Sequence, residues 1–424
     1  MSPLLRRLAA IGATLLAVAM VAVLALRSLG IPLAVGPLAS ASPPAVTPSP
    51  SGPSPSGSPD PLEVFAAIEE QVRDLRDLPA AEIGPPDVIS RDQLATELEA
   101  LLAEEWTEEE LARDNLTLRA MGLLEEDQDL RQLTQELYAG QVLGFYDFVD
   151  KRMVVVSDAG LTPEARITYA HEYTHALQDA AFDIGAAREA PAGDDDAALA
   201  RIALEEGDAT LLMFQWALDD NLSMEELLGI AATPVPDMSG IPGWMVAQLT
   251  FPHESGLTFV SQLQMSGGWS AVDAAYDDPP ASTEQVMHPE KYLAGEAPQE
   301  VEGTDLAAAL GDGWEEVEST TIGEATLAIW LTHLGVDQGT AVDAARGWGG
   351  DRLRVAQAGE GGWALAWTIA FDTPADATEF GEAHAEITEL EAAAELVTVS
   401  ATEFLVLHAS SQSLLEKLAA AAEA

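Results

Sequence analysis

The longest unbroken apolar run lies near the start of the chain. Residues 8–26, "LAAIGATLLAVAMVAVLAL", hold no charge and no proline. At about 1.5 Å per residue, a helix of that length just crosses a hydrocarbon core of roughly 30 Å. Arg6 and Arg7 precede it, which predicts a cytoplasmic tip and a single-pass signal anchor within residues 1–30. The alternative is a cleaved signal peptide, with Ala39–Ala41 as its cleavage site and a secreted product. Both readings place the body outside the cytoplasm. Within the next segment, 31–61, the stretch "ASASPPAVTPSPSGPSPSGSPDP" (39–61) has no apolar face to bury. It predicts a disordered stalk.

From residue 62 the apolar positions become periodic. Helical spacing runs through 62–77, 92–106 and 107–138. The period then shortens: "GFYDFVDKRMVVVSD" (144–158) places aromatic and β-branched runs on either side of a polar turn, the pattern of a β-hairpin. Helical spacing returns at 162–180, with Thr162 as cap, Pro163 at the first helical position and Glu164 at the positive end of the dipole. A further helix is expected over 196–217. Beyond 311 the chain mixes strands and helices, and "GWGGD" (347–351) predicts a glycine-rich turn. The fold class is therefore α+β, mostly helical, with a small hairpin edge and an α+β C-terminal portion at 311–424.

Acidic residues number 71 against 19 basic ones, a formal charge of −52. That field repels polyanions, so no nucleic-acid partner is expected. There is no cysteine, which excludes disulfides, thiol catalysis and thiolate metal sites.

The helix at 162–180 contains "HEYTH". His171 and His175 lie one turn apart and project from one side, and Glu172 points about 100° away. Two neutral imidazoles can hold zinc while the adjacent carboxylate takes a proton from water at the metal. Chance predicts roughly 0.01 such matches in a chain of this composition. A catalytic zinc needs a third protein ligand. In the helix at 196–217, Leu199, Ile202, Ala203, Ala209 and Met213 form an apolar stripe with Glu206 inside it. A carboxylate there is costly unless something neutralises it, such as a cation or a metal, so Glu206 is the better candidate for the third ligand, the alternative being a capped or salt-bridged glutamate. Gly207 beside it would admit a neighbouring helix closely. Asp208 and Asp179 are candidate acceptors for a ligand imidazole.

His171-Glu172-Tyr173-Thr174-His175 followed by Glu206-Gly207-Asp208-Ala209 resembles the gluzincins, a group of zinc peptidases. The 31 positions from His175 to Glu206 exceed the thermolysin-like interval. The chain is more similar to a set of bacterial membrane-anchored or lipoprotein metallopeptidases. These share a "GFYD"-like hairpin, an "EGDAT" helix and a segment like "PPASTEQVMHPEKY" (279–292). The resemblance covers roughly residues 85–375. It implies a zincin-like catalytic domain at 62–310, a Zn²⁺ cofactor held by His171, His175 and Glu206, and Glu172 as general base and acid. The expected partner is a peptide or protein substrate. A non-catalytic scaffold for surface binding or envelope assembly is the alternative.

Gluzincins also need a donor for the developing oxyanion. The candidates are His288, Tyr292, His253, Tyr169 and Tyr173. His288 is favoured, at the negative end of a short helix capped by Ser282 and Gln285, with Glu284 one turn back. His253, in "LTFPHESG", reads as part of a turn between helices. The hairpin at 144–158 is expected to hold substrate as an added strand.

Overall fold

The computed structural model describes residues 60–422 apart from 158–159, 186–192, 234–237, 360 and 391. The apolar run 8–26 and the stalk up to residue 59 lie outside the described residues. Among the described residues no helix is long and apolar enough to cross a membrane. The single-pass anchor and the membrane localisation expected from the sequence are therefore not supported: the run that would carry them lies outside the described residues, and no described helix takes its place.

The fold is α+β. The N-terminal part holds four helices: α1 (Pro61–Arg76) and, after a short strand, α2 (Arg91–Glu105), α3 (Glu108–Met121) and α4 (Leu130–Gln141). The single helix expected over 107–138 is two, because Gly122 takes a left-handed conformation (φ 80°) that closes α3. Asp129 then caps α4 through Gln132 N.

The expected hairpin is present as β2 (Gly144–Asp147) and β3 (Arg152–Val156), antiparallel with Gly144 opposite Val155. A strand the sequence did not suggest, β1 (Asp87–Ile89), pairs parallel with β3. The order β1-β3-β2 makes β3 the central strand. Val154 and Val155 therefore sit between two partners, and an added strand could join only at β1 or β2.

Helix α5 (Pro163–Phe182) begins as expected, with Thr162 Oγ1 accepting from Ala165 N at 3.2 Å and Pro163 in its first turn. It ends at Asp183, which is left-handed. Helix α6 (Asp195–Trp216) is capped by Asp194 and runs into a π-helical turn, Ala217–Asn221. After α7 (Met224–Ala231) comes α8 (Gly243–Gly267), 25 residues long with Pro252 inside it. The turn expected around His253 is thus helix. The proline cannot donate to the Gln248 carbonyl, yet the helix continues through it with Gln248, Leu249, His253 and Gly256 buried. Short helices α9 (Trp269–Asp277), α10 (Thr283–Met287), α11 (Pro289–Ala294) and α12 (Leu306–Leu310) follow.

The C-terminal portion is an antiparallel sheet in the order β4-β5-β6-β8-β7. Its strands are β4 (Trp314–Thr320), β5 (Trp348–Ala358), β6 (Trp363–Phe371), β7 (Ala393–Thr398) and β8 (Glu403–Ala409). Helices α13 (Gly323–His333), α14 (Gln338–Ala345), α15 (Pro374–His384) and α16 (Gln412–Ala422) accompany it. The "GWGGD" run opens β5 through a bulge and is not a free turn.

One apolar core joins Leu118, Trp330, Trp367 and Val406, and so crosses the boundary expected at 310/311. A second joins α1, β3, α5 and α6 through Phe65, Val155, Ile167 and Leu212. A third lies between α6 and α8, around Leu204, Phe259 and Leu263.

His384 and His408 pack against Trp330. His408 donates from Nδ1 to the Ala120 carbonyl at 2.8 Å. Burial holds both imidazoles neutral, with pKa values lowered to about 4. An unfolded chain would protonate them near pH 6.5. Unfolding between about pH 4 and 6.5 therefore takes up protons, and stability falls as pH drops through that window. His408→Asn should reduce the slope of unfolding free energy against pH, near pH 5, by about one proton, or about 1.4 kcal/mol per pH unit. Denaturant titrations across pH 4–7 test this.

Candidate metal centre

The two helices that carry the motif residues are brought together by small side chains. Glycine is required where α6 crosses α8. A Cβ on Gly207 would lie 2.2 Å from the Gly256 carbonyl carbon, and one on Gly256 would lie 2.0 Å from the Ala203 carbonyl oxygen. This close crossing sets Glu206, next to Gly207, against His253, one turn before Gly256.

On α5, His171 and His175 turn their Nε2 atoms to a common point. The two nitrogens are 3.2 Å apart. Glu206 Oε2 is 3.1 Å from His171 Nε2 and 3.4 Å from His175 Nε2. His253 Nδ1 is also 3.4 Å from Glu206 Oε2. The four side chains are buried, at 0%, 2%, 2% and 3% exposure for His171, His175, Glu206 and His253. Among the described residues, His171, Glu206 and His253 form a group whose donor atoms all lie within 4.8 Å of one another.

These distances can be tested against a metal. Ligands bonded to zinc at about 2.0–2.1 Å in a tetrahedron lie about 3.3–3.4 Å apart, close to the separations found. The protonation states agree. Gln178 Nε2 donates to the Glu205 carbonyl at 2.9 Å, which turns Gln178 Oε1 towards His175 Nδ1, also at 2.9 Å. His175 Nδ1 must then carry the hydrogen, leaving Nε2 as a lone pair. That lone pair faces His171 Nε2 and a carboxylate oxygen. One proton cannot satisfy three such atoms, whereas one divalent cation can. Burial lowers the pKa of His171 despite its bond to Glu206, and lowers that of His253 to about 4. Burial alone would raise Glu206, but the imidazoles facing it hold it well below the usual carboxylate range. Neutral imidazoles and an ionised carboxylate are the forms that bind metal. The residues fit zinc.

Glu172 is also buried, and its Oε2 accepts from Tyr146 N of β2 at 3.0 Å. The base expected from the sequence is therefore tied to the small sheet while its neighbour His171 faces Glu206.

The acceptors expected for the imidazoles are used elsewhere. Asp208 accepts from Arg76 Nε (2.9 Å) and from Tyr276 Oη (2.8 Å), which fastens α1 and α9 to α6. Asp179 accepts from Tyr146 Oη and Gly185 N, each at 3.0 Å, and from Lys151. Gln178 does the orienting instead. Its i,i+3 spacing from His175 was the available signal. Gln178→Met should lower zinc affinity by about 10–100-fold without unfolding the protein, as measured by chelator competition; unchanged affinity would remove Gln178 from the site.

The favoured oxyanion donor is placed differently. His288 Nε2 lies 3.0 Å from Glu324 Oε1, a bond that raises its pKa, and is not among the donors gathered at Glu206. Glu284, one turn before His288, accepts from Lys291 instead. Tyr292 donates to the Asp278 carbonyl and Tyr169 to Glu69, and Tyr173 stacks on Tyr169. Of the five candidates, His253 alone reaches the cluster. Glu284, Glu296 and Asp372 also converge, but Lys291 Nζ lies 2.7–2.8 Å from all three and already supplies the cation.

A family model described as "Domain of unknown function (DUF8575)" matches residues 309–413. This span takes in the five-stranded sheet and begins after the last cluster residue. No curated protein and no solved structure matches the chain.

Proposed function

We propose that the protein is a zinc-dependent hydrolase of zincin-like fold that cleaves peptide bonds. The observation that carries this reading is the meeting of His171 Nε2, His175 Nε2 and Glu206 Oε2 within 3.1–3.4 Å, with Glu172 adjacent in sequence and anchored on Tyr146 N. Zinc, when bound, supplies Lewis acidity that polarises a carbonyl and brings the pKa of water to roughly 7. His171, His175 and Glu206 would hold it, and Gln178 fixes the His175 tautomer. Glu172 would accept a proton at its carboxylate and pass it to the leaving amine. The Tyr146 N–H keeps that carboxylate oriented.

A second reading, a metal-holding scaffold without catalysis, is favoured by the burial of every donor, since structural zinc sites are closed. Metal analysis of the purified full-length chain, with a peptide-library digest in the presence and absence of chelator, separates the two. The hydrolase reading expects one zinc per chain and chelator-sensitive cleavage. Bound zinc with no cleavage of any peptide would favour the scaffold.

A further inference from the structure

We propose that His253 is a fourth protein donor to the metal centre, so that the resting site is closed. The proposal rests on the metal-binding half of the hydrolase reading. His253 is 3% exposed. Its Nδ1 faces Glu206 Oε2 at 3.4 Å, and its ring centroid is 5.8 Å from that of His171. The other polar group near Nδ1, Thr210 Oγ1, is 3.5 Å away. That is too long for a firm O–H···N bond, so Thr210 competes only weakly for Nδ1.

The placement is built into the backbone. Gly207 and Gly256 allow α8 to touch α6 with no side chain between, and His253 lies on the same side of α8 as Gly256, one turn earlier. Other histidines have different commitments: His288 pairs with Glu324 and His408 with the Ala120 carbonyl.

Catalytic zinc sites keep one position for water, and structural sites fill all four with protein. Here a base suited to catalysis stands beside His253, whose donor lies within 4.8 Å of those of His171 and Glu206 and would take the position that catalysis leaves to water. On the hydrolase reading, water and substrate gain access only when His253 leaves. Pro252, immediately before it, lacks the N–H that would hold that turn to the Gln248 carbonyl.

The test uses full-length protein loaded with Co²⁺, whose visible absorption reports its coordination, and azide as a small exogenous ligand. Wild type is expected to bind one Co²⁺ with an intense four-coordinate spectrum that azide leaves unchanged. His253→Ala is expected to bind Co²⁺ more weakly, by at least the roughly 10-fold that loss of an outer partner costs, and to shift its spectrum with azide. His253→Asn gives the same comparison if the alanine variant does not fold. A wild-type spectrum that moves with azide, or equal affinity and response in wild type and variant, overturns the proposal and leaves the three-ligand site standing. Failure of wild type to bind Co²⁺ overturns both.

Discussion

Glu172→Gln is expected to lower the kcat/KM for peptide hydrolysis by about 10²–10⁴-fold, while zinc content stays at one per chain. The substitution is nearly isosteric. The amide oxygen of glutamine can still accept from Tyr146 N, now at 3.0 Å from Glu172 Oε2, so α5 and β2 remain joined. The ligand atoms of His171, His175 and Glu206 are untouched. What disappears is a carboxylate able to take a proton and return it. A paired measurement of kcat/KM and metal content makes the result readable: lost activity with retained zinc supports the assigned role. Full activity with zinc in place would show that another group moves the proton.

The second large effect concerns the helix crossing. Gly256→Ala should destabilise the protein by about 3 kcal/mol or more, the upper range for overpacking, and should lower its zinc content. The added Cβ would meet the Ala203 carbonyl oxygen at 2.0 Å, the Ala203 carbonyl carbon at 2.9 Å and Gly207 N at 3.1 Å. All three are backbone atoms that cannot rotate aside. Helix α8 would have to move away from α6, carrying His253 with it and disturbing Glu206. Gly229→Ala is the control, because nothing lies within 4 Å of the Cβ it would add. It also sits inside α7, where alanine should be neutral or stabilising by up to about 1 kcal/mol. Chemical denaturation and metal analysis of both variants provide the comparison. Equal stability of the two would mean that the crossing tolerates a methyl group.

The features that local chemistry controls were legible in the sequence. Thr162 and Pro163 mark the start of α5 by capping and fixed φ, and the i,i+4 histidines share a face whatever surrounds them. Glu206 was readable because a carboxylate in an apolar stripe needs a counter-charge, and Gly207 because a missing side chain permits close approach. The unreadable features depend on distant partners. Strand β1 has three residues and pairs with β3 more than sixty positions later, too short for a periodic signal. Pro252 suggested a turn, yet packing against α6 carries α8 straight through it, and this hid His253. His288 was assigned by its place on a short helix, but its partner Glu324 arrives from α13. Asp208 and Asp179 had the right chemistry for holding an imidazole, but Arg76 and Lys151 compete for them.

A crystal structure of the zinc-loaded protein, with the anomalous signal collected at the zinc edge, tests the central claim most directly. The account predicts a single ion with His171 Nε2, His175 Nε2 and a Glu206 carboxylate oxygen each at about 2.0–2.2 Å. An ion bound elsewhere, or either imidazole rotated out of reach of it, would contradict the account.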